Sequence, residues 1–65
     1  MKVSYFEDTD TLYIELKQTD IRESKDLDEN TILDLDSEGN IVAITMEHAS
    51  TRTDVHNLTL SGIAA

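Results

Sequence analysis

Two stretches of this 65-residue chain carry side chains that could do chemistry. The first is Asp34-Leu35-Asp36-Ser37-Glu38-Gly39-Asn40-Ile41. It follows the opening of a calcium loop, in which carboxylates at positions 1, 3 and 5 and a bidentate Glu at position 12 surround the ion. The twelfth position here is Thr45, which has no carboxylate, and nothing on either side reads as a helix. On an extended strand Asp34 and Asp36 project to one side, so Asp34, Asp36 and Glu38 are the candidate metal ligands. The plainer reading is a solvated acidic hairpin turned by Gly39. The second stretch is Glu47-His48, with His56 further on. Two imidazoles and a carboxylate suffice for zinc or iron. Their spacing matches no local ligand motif, so surface or part-buried histidines are expected.

Little else points to catalysis. The chain has no Cys, which excludes disulfides, thiolate metal sites and cysteine nucleophiles. It has no G-x-S-x-G elbow around any Ser. With 14 acidic residues, paired carboxylates can be drawn anywhere and signify nothing. The expectation is a protein with no catalytic residue and no cofactor. Five basic residues against those 14 acids give a net charge of −9, which argues against a nucleic-acid surface, since phosphate binding is driven by Lys and Arg. Tyr5 and Tyr13 could stack a base, but strand aromatics more often belong to a core. No apolar run approaches the roughly 20 residues of a membrane helix, and the N-terminus does not read as a signal peptide. No membrane partner is expected, and the cytosol is the default compartment.

The elements that would position these residues are strands. The apolar residues fall in short runs of period two. Lys2 to Phe6 reads as a strand, Glu7 to Asp10 as a turn, and Thr11 to Lys17 as a second strand joined to the first in a hairpin. Ile21 to Leu27 reads as a short edge strand whose charges discourage pairing. Thr31 to Asp36 and Ile41 to Glu47 form a hairpin around Ser37 to Asn40. If Leu35 faces Val42, then Leu33 faces Ile44, Thr31 faces Met46, and the apolar side chains meet on one face. That face gathers Val3, Tyr5, Leu12, Ile14, Leu16, Leu33, Leu35, Val42, Ile44 and Met46. The other face carries Phe6, Tyr13, Ile32, Ile41 and Ala43. His48 to Arg52 suggests a helical turn, and Asp54 a cap for a short helix from Val55; Leu58 and Leu60 read equally well as a strand. The fold class is therefore all-β or β-dominated, a small antiparallel meander of four to five strands with a short C-terminal helix. Residues 1–50 form the β domain, and 51–65 a partly frayed appendage.

Several of these motifs, in this order, resemble one family. They are Met1-Lys2-Val3-Ser4-Tyr5, Asp8, Leu12-Tyr13-Ile14-Glu15-Leu16, Ile32-Leu33-Asp34-Leu35-Asp36, Gly39, Ile41-Val42, Ile44 and Ala49-Ser50. Over residues 1 to 50 they are similar to the small bacterial and archaeal proteins grouped as DUF2283. Ala43 stands where that family usually has Gly, and Thr45 where it often has Glu. The resemblance implies a small β-rich domain of unknown function. Because some members are encoded beside small toxins, it also implies an antitoxin-like role as one candidate. It assigns no catalytic residue.

Folding a chain of this size hides about 6,400 Å². If about 60% is apolar, burial is worth about 96 kcal/mol at about 25 cal/mol/Å². Ordering the residues at about 1.5 kcal/mol each costs about 98 kcal/mol. The terms cancel, so further burial helps. The reading is a non-enzymatic interaction module with an acidic surface suited to a basic protein partner. A homodimer is expected through the second sheet face, with Phe6, Tyr13, Ile32, Ile41 and Ala43 as its interface. The alternative is a small metal-binding or enzymatic domain built on the acidic hairpin and the histidines.

Overall fold

A computed structural model describes residues 1–56. They form five strands and one 3-10 turn: β1 (Lys2–Phe6), β2 (Thr11–Glu15), β3 (Glu23–Asp28), β4 (Thr31–Leu35), β5 (Ile41–Glu47) and η1 (Ala49–Thr51). The strands make one antiparallel sheet, the β-dominated architecture that the period-two pattern requires. Where a simple meander would follow chain order, this sheet runs β1-β2-β5-β4-β3. Residues 16–22 carry the chain from β2 to the far edge, and β5 returns to fill the gap between β2 and β4. The composition of each strand explains its place. β5 holds Ile41, Val42, Ala43, Ile44 and Met46 and sits in the middle; β3 holds Glu23, Lys25, Asp26 and Asp28 and is exposed throughout at an edge. A charged strand keeps its side chains solvated there.

The strands are close to those expected, with β2 shorter and β3 starting two residues later and ending one residue later. On the first face the register aligns Tyr5, Leu12, Met46 and Thr31 in one row and Val3, Ile14, Ile44 and Leu33 in the next. The expected pairs Leu33–Ile44 and Thr31–Met46 are present, but Leu35 stands opposite Ile41 rather than Val42. Between Ala43 and Ile41 the β5 strand has one residue more than β4, so Val42 is the extra residue of a bulge. Its carbonyl turns to β2, accepting hydrogen bonds from the amides of Leu16 at 2.7 Å and Lys17 at 3.4 Å.

Leu12, Val42, Ala43 and Ala49 are buried, whereas Ile14, Leu33, Leu35, Ile44 and Met46 are half-buried. Leu12 and Ala49 lie at the end of the sheet where the segment after β5 folds back, and Val42 and Ala43 lie toward the other end of β5. The expected helical turn at His48 to Arg52 is η1. The helix expected from Val55, the alternative strand at Leu58 and Leu60, and most of the 51–65 appendage lie outside the described residues.

Candidate functional site

The polar side chains collect at the two ends of the sheet. At the first end the β1–β2 turn meets the residues after β5. With no glycine in Glu7-Asp8-Thr9-Asp10, the left-handed position of that turn falls to Asp10, at φ 54°. Asp is among the few residues that tolerate this conformation, because its short side chain bonds locally. Asp10 then accepts hydrogen bonds from three directions. Tyr5 Oη donates to Oδ1 at 2.5 Å, the Ser50 amide to Oδ1 at 3.0 Å, and Ser50 Oγ to Oδ2 at 2.8 Å. The Asp10 carbonyl also accepts the Ala49 amide at 3.0 Å. His48, at φ 55°, makes the second left-handed bend that brings Ala49 and Ser50 into place.

These donors have predictable electrostatic effects. Tyr5, then Ser50, hold the Asp10 carboxyl below its ordinary pKa. The same bond to Asp10, with burial second, raises the Tyr5 phenol above its own. A carboxylate bonded in this way is a weak base, and no imidazole stands between it and the Ser50 hydroxyl. The cluster fastens chain to chain rather than activating a nucleophile.

Arg52 makes the matching tie to the other hairpin. Its Nη1 donates to the Asn30 carbonyl at 3.0 Å, and its Nη2 to Asp28 Oδ2 at 3.2 Å. Asp28 accepts the Asn30 amide at 2.8 Å, and that bond leads in lowering its pKa, with Arg52 adding to it. The turn after β5 therefore clamps the β1–β2 hairpin on one side and the β3–β4 hairpin on the other.

At the opposite end stands the acidic hairpin. Asp36 Oδ1 accepts the amides of Glu38 and Asn40, both at 2.9 Å, closing a turn in which Gly39 takes φ 83°. Lys17 pairs with Asp36 Oδ2. That ion pair first, and the Asn40 amide second, lower the Asp36 pKa to about 2. A shallow cavity of about 420 Å³ lies beside it, lined by Lys17, Asp20, Arg22, Asp36 and Glu38 among others. Its charges are mixed and its walls open to solvent.

The candidate metal ligands are not brought together. Asp34 accepts Ser24 Oγ at 2.6 Å from β3, Asp36 is committed to its turn and to Lys17, and Glu38 is exposed. Among the described residues no group of three His, Asp or Glu side chains is placed to hold a metal ion. His48 serves as a bend, and the His56 ring meets Tyr5 edge-on with centroids 6.1 Å apart.

The candidate interface residues are also dispersed. Phe6 is 51% exposed and Ile41 40%, Tyr13 and Ile32 are half-buried, and Ala43 is fully covered by its own sheet. The bulge sets Ile41 opposite Leu35, in a row of the first face, since residues directly opposite share a face. Sequence reasoning missed Asp10, Ser50 and Arg52. Asp10 alone carried a signal: a turn with no glycine must put some other residue in the left-handed region.

These features define a class: a small single-sheet antiparallel β domain closed by hydrogen-bonded turns. The family model described as "Protein of unknown function (DUF2283)" matches residues 2–50, and the chain belongs to that family. No curated protein and no solved structure matches it. Among the described residues no helix is long and apolar enough to cross a membrane.

Proposed function

We propose that this domain is a non-enzymatic protein-interaction module whose acidic surface takes a basic protein partner. The observation that carries the reading is the excess of exposed carboxylates on a rigid sheet. Ion pairs engage Asp36 with Lys17 and Asp28 with Arg52, while Glu7, Asp8, Asp20, Asp26, Glu29 and Glu38 stand exposed. A field of one sign speeds encounter with a partner of the other and repels like-charged competitors. Pairing with a small basic toxin is one form of this function, and the family resemblance is what suggests it.

Capture from lysate of the source cell tests the reading. Immobilised protein is expected to retain basic proteins that elute as salt rises. A variant carrying Asp26→Lys and Glu29→Lys should retain fewer. Equal capture by the charge-reversed variant, or retention that ignores salt, would refute the proposal.

A further inference from the structure

Both outer strands present a row of open backbone N–H and C=O groups, but the two edges are unlike. β3 is exposed along its length, carries charge at Glu23, Lys25, Asp26 and Asp28, and has an irregular register at Leu27. Charges and bulges are the devices that stop an edge from pairing. β1 has no bulge and a single charge, at its first residue. It pairs with β2 without interruption from Lys2 to Phe6, and Lys2 is its one charged residue. Val3 is 43% exposed and Phe6 51%. The acidic residues begin just past its end, at Glu7 and Asp8.

We propose that the β1 edge is a self-association surface. It pairs antiparallel with β1 of a second copy about a two-fold axis at Ser4, joining two sheets into one. The register follows from pairing the whole strand. Ser4 then faces Ser4 of the second copy, Val3 faces Tyr5, and Lys2 faces Phe6. Opposite residues share a face, so exposed Val3 is set against a tyrosine ring. Exposed Phe6 meets the aliphatic stem and ammonium of lysine. In this register Glu7 of one copy falls opposite Met1 of the other, one residue along from Lys2, so the basic start of each strand lies at the acidic end of the other. The strand runs from a base at its start to acids just past its end, so the edge complements itself when antiparallel and repels itself when parallel. Two chains of charge −9 must meet where acid is sparse, and this edge is such a place.

The second sheet face is the poorer route. There Phe6, Tyr13 and Ile32 share the surface with Glu15, Asp34 and Glu47, as the register shows. Contact between two such faces would take the charges of Glu15 and Glu47 out of water at a desolvation cost. The edge shares Glu7 with the exposed acids proposed to take a basic partner, but the other acids lie away from it, so either proposal stands if the other fails.

The native chain has no cysteine, which makes cross-linking decisive. Ser4→Cys is expected to oxidise rapidly to a disulfide-linked dimer, because facing residues of paired strands lie within disulfide reach. Ser24→Cys on β3 is expected to give no disulfide-linked dimer, since the β3 edges do not meet. In sedimentation at low salt, Lys2→Glu and Glu7→Lys should each weaken the dimer about tenfold when alone. Mixed one to one, they should restore it, because each then meets its opposite charge. A folded native chain with a mass near 7.3 kDa at high micromolar concentration would overturn the proposal. So would equal cross-linking at positions 4 and 24, or charge variants that dimerise as well alone as mixed.

Discussion

At the residue scale, Asp10 and Leu12 show two ways a small sheet is held. Leu12 is 1% exposed, and Leu12→Ala is expected to cost about 2–5 kcal/mol, as buried leucines do. Ile14→Ala, at a half-buried site in the next row, should cost less; urea denaturation of both variants checks the order. Asp10 holds by direction instead of area. Asp10→Ala removes the acceptor for Tyr5 and Ser50. Hydrogen exchange should then quicken at the Ser50 amide while amides within the β4–β5 pair keep their protection. An unchanged Ser50 rate would show that the turn after β5 does not depend on Asp10. The same carboxylates set the acid limit of the fold. Asp36 is lowered from 3.8 to about 2, and Asp10 and Asp28 are lowered as well. Lowered pKa values mean that the unfolded chain takes up protons first. The Asp36 contribution is therefore full above pH about 4 and is lost as pH falls through about 2, and those of Asp10 and Asp28 are likewise lost on the acid side. Thermal melts between pH 5 and 2 should show a decline that Asp36→Asn makes shallower. A parallel decline in that variant would separate Asp36 from acid unfolding.

At the element scale, the decisive piece is the β4–β5 hairpin. Its turn needs one left-handed residue, and Gly39 supplies it at φ 83°. A Cβ there would meet no atom within 4 Å, so Gly39→Ala pays only the backbone cost, about 1 kcal/mol. Gly39→Asn should cost less, because Asn tolerates that conformation; denaturant midpoints for the pair check this. The strands themselves were legible, since alternation fixes which residues share a face. The bulge was not. Val42 has the same character as its neighbours Ile41 and Ile44, so nothing in the residue types marks it as the extra one. At the bulge the Val42 carbonyl accepts the amides of Leu16 and Lys17 on the β2 side, while β4 advances by one residue against two of β5. The β3 edge was legible for the opposite reason: its charges have no place between two strands.

For the whole molecule, charge dominates. A net −9 on one small sheet makes the folded state repel itself at neutral pH. Added NaCl should raise the melting temperature at pH 7, because screening shortens the reach of that repulsion. The gain should shrink near pH 4.5, where carboxylates begin to protonate. A melting temperature that ignores salt at pH 7 would mean that the exposed acids are spread widely enough not to interact. The proposed pairing of β1 edges belongs to this scale too, because two acidic copies would meet there where acid is sparse.

The sequence by itself determined the β class, the strands, the faces of the central hairpin as far as the bulge, and the exclusion of thiol chemistry. These depend on residue type and short spacing, which the chain states directly. Only the tertiary structure decided the strand order, the bulge at Val42, the covering of Ala43, and the ties from Asp10 to Ser50 and from Arg52 to Asp28. Each joins segments far apart in the chain, and alternation says which way a side chain points but not which distant strand it will meet. The acidic hairpin shows the difference most plainly. Its spacing suggested a cation site, but the fold gave Asp34 to Ser24 and Asp36 to Lys17. Hydrogen-bond donors from neighbouring segments meet those carboxylates, and among the described residues no group of three ligand side chains is placed to hold an ion.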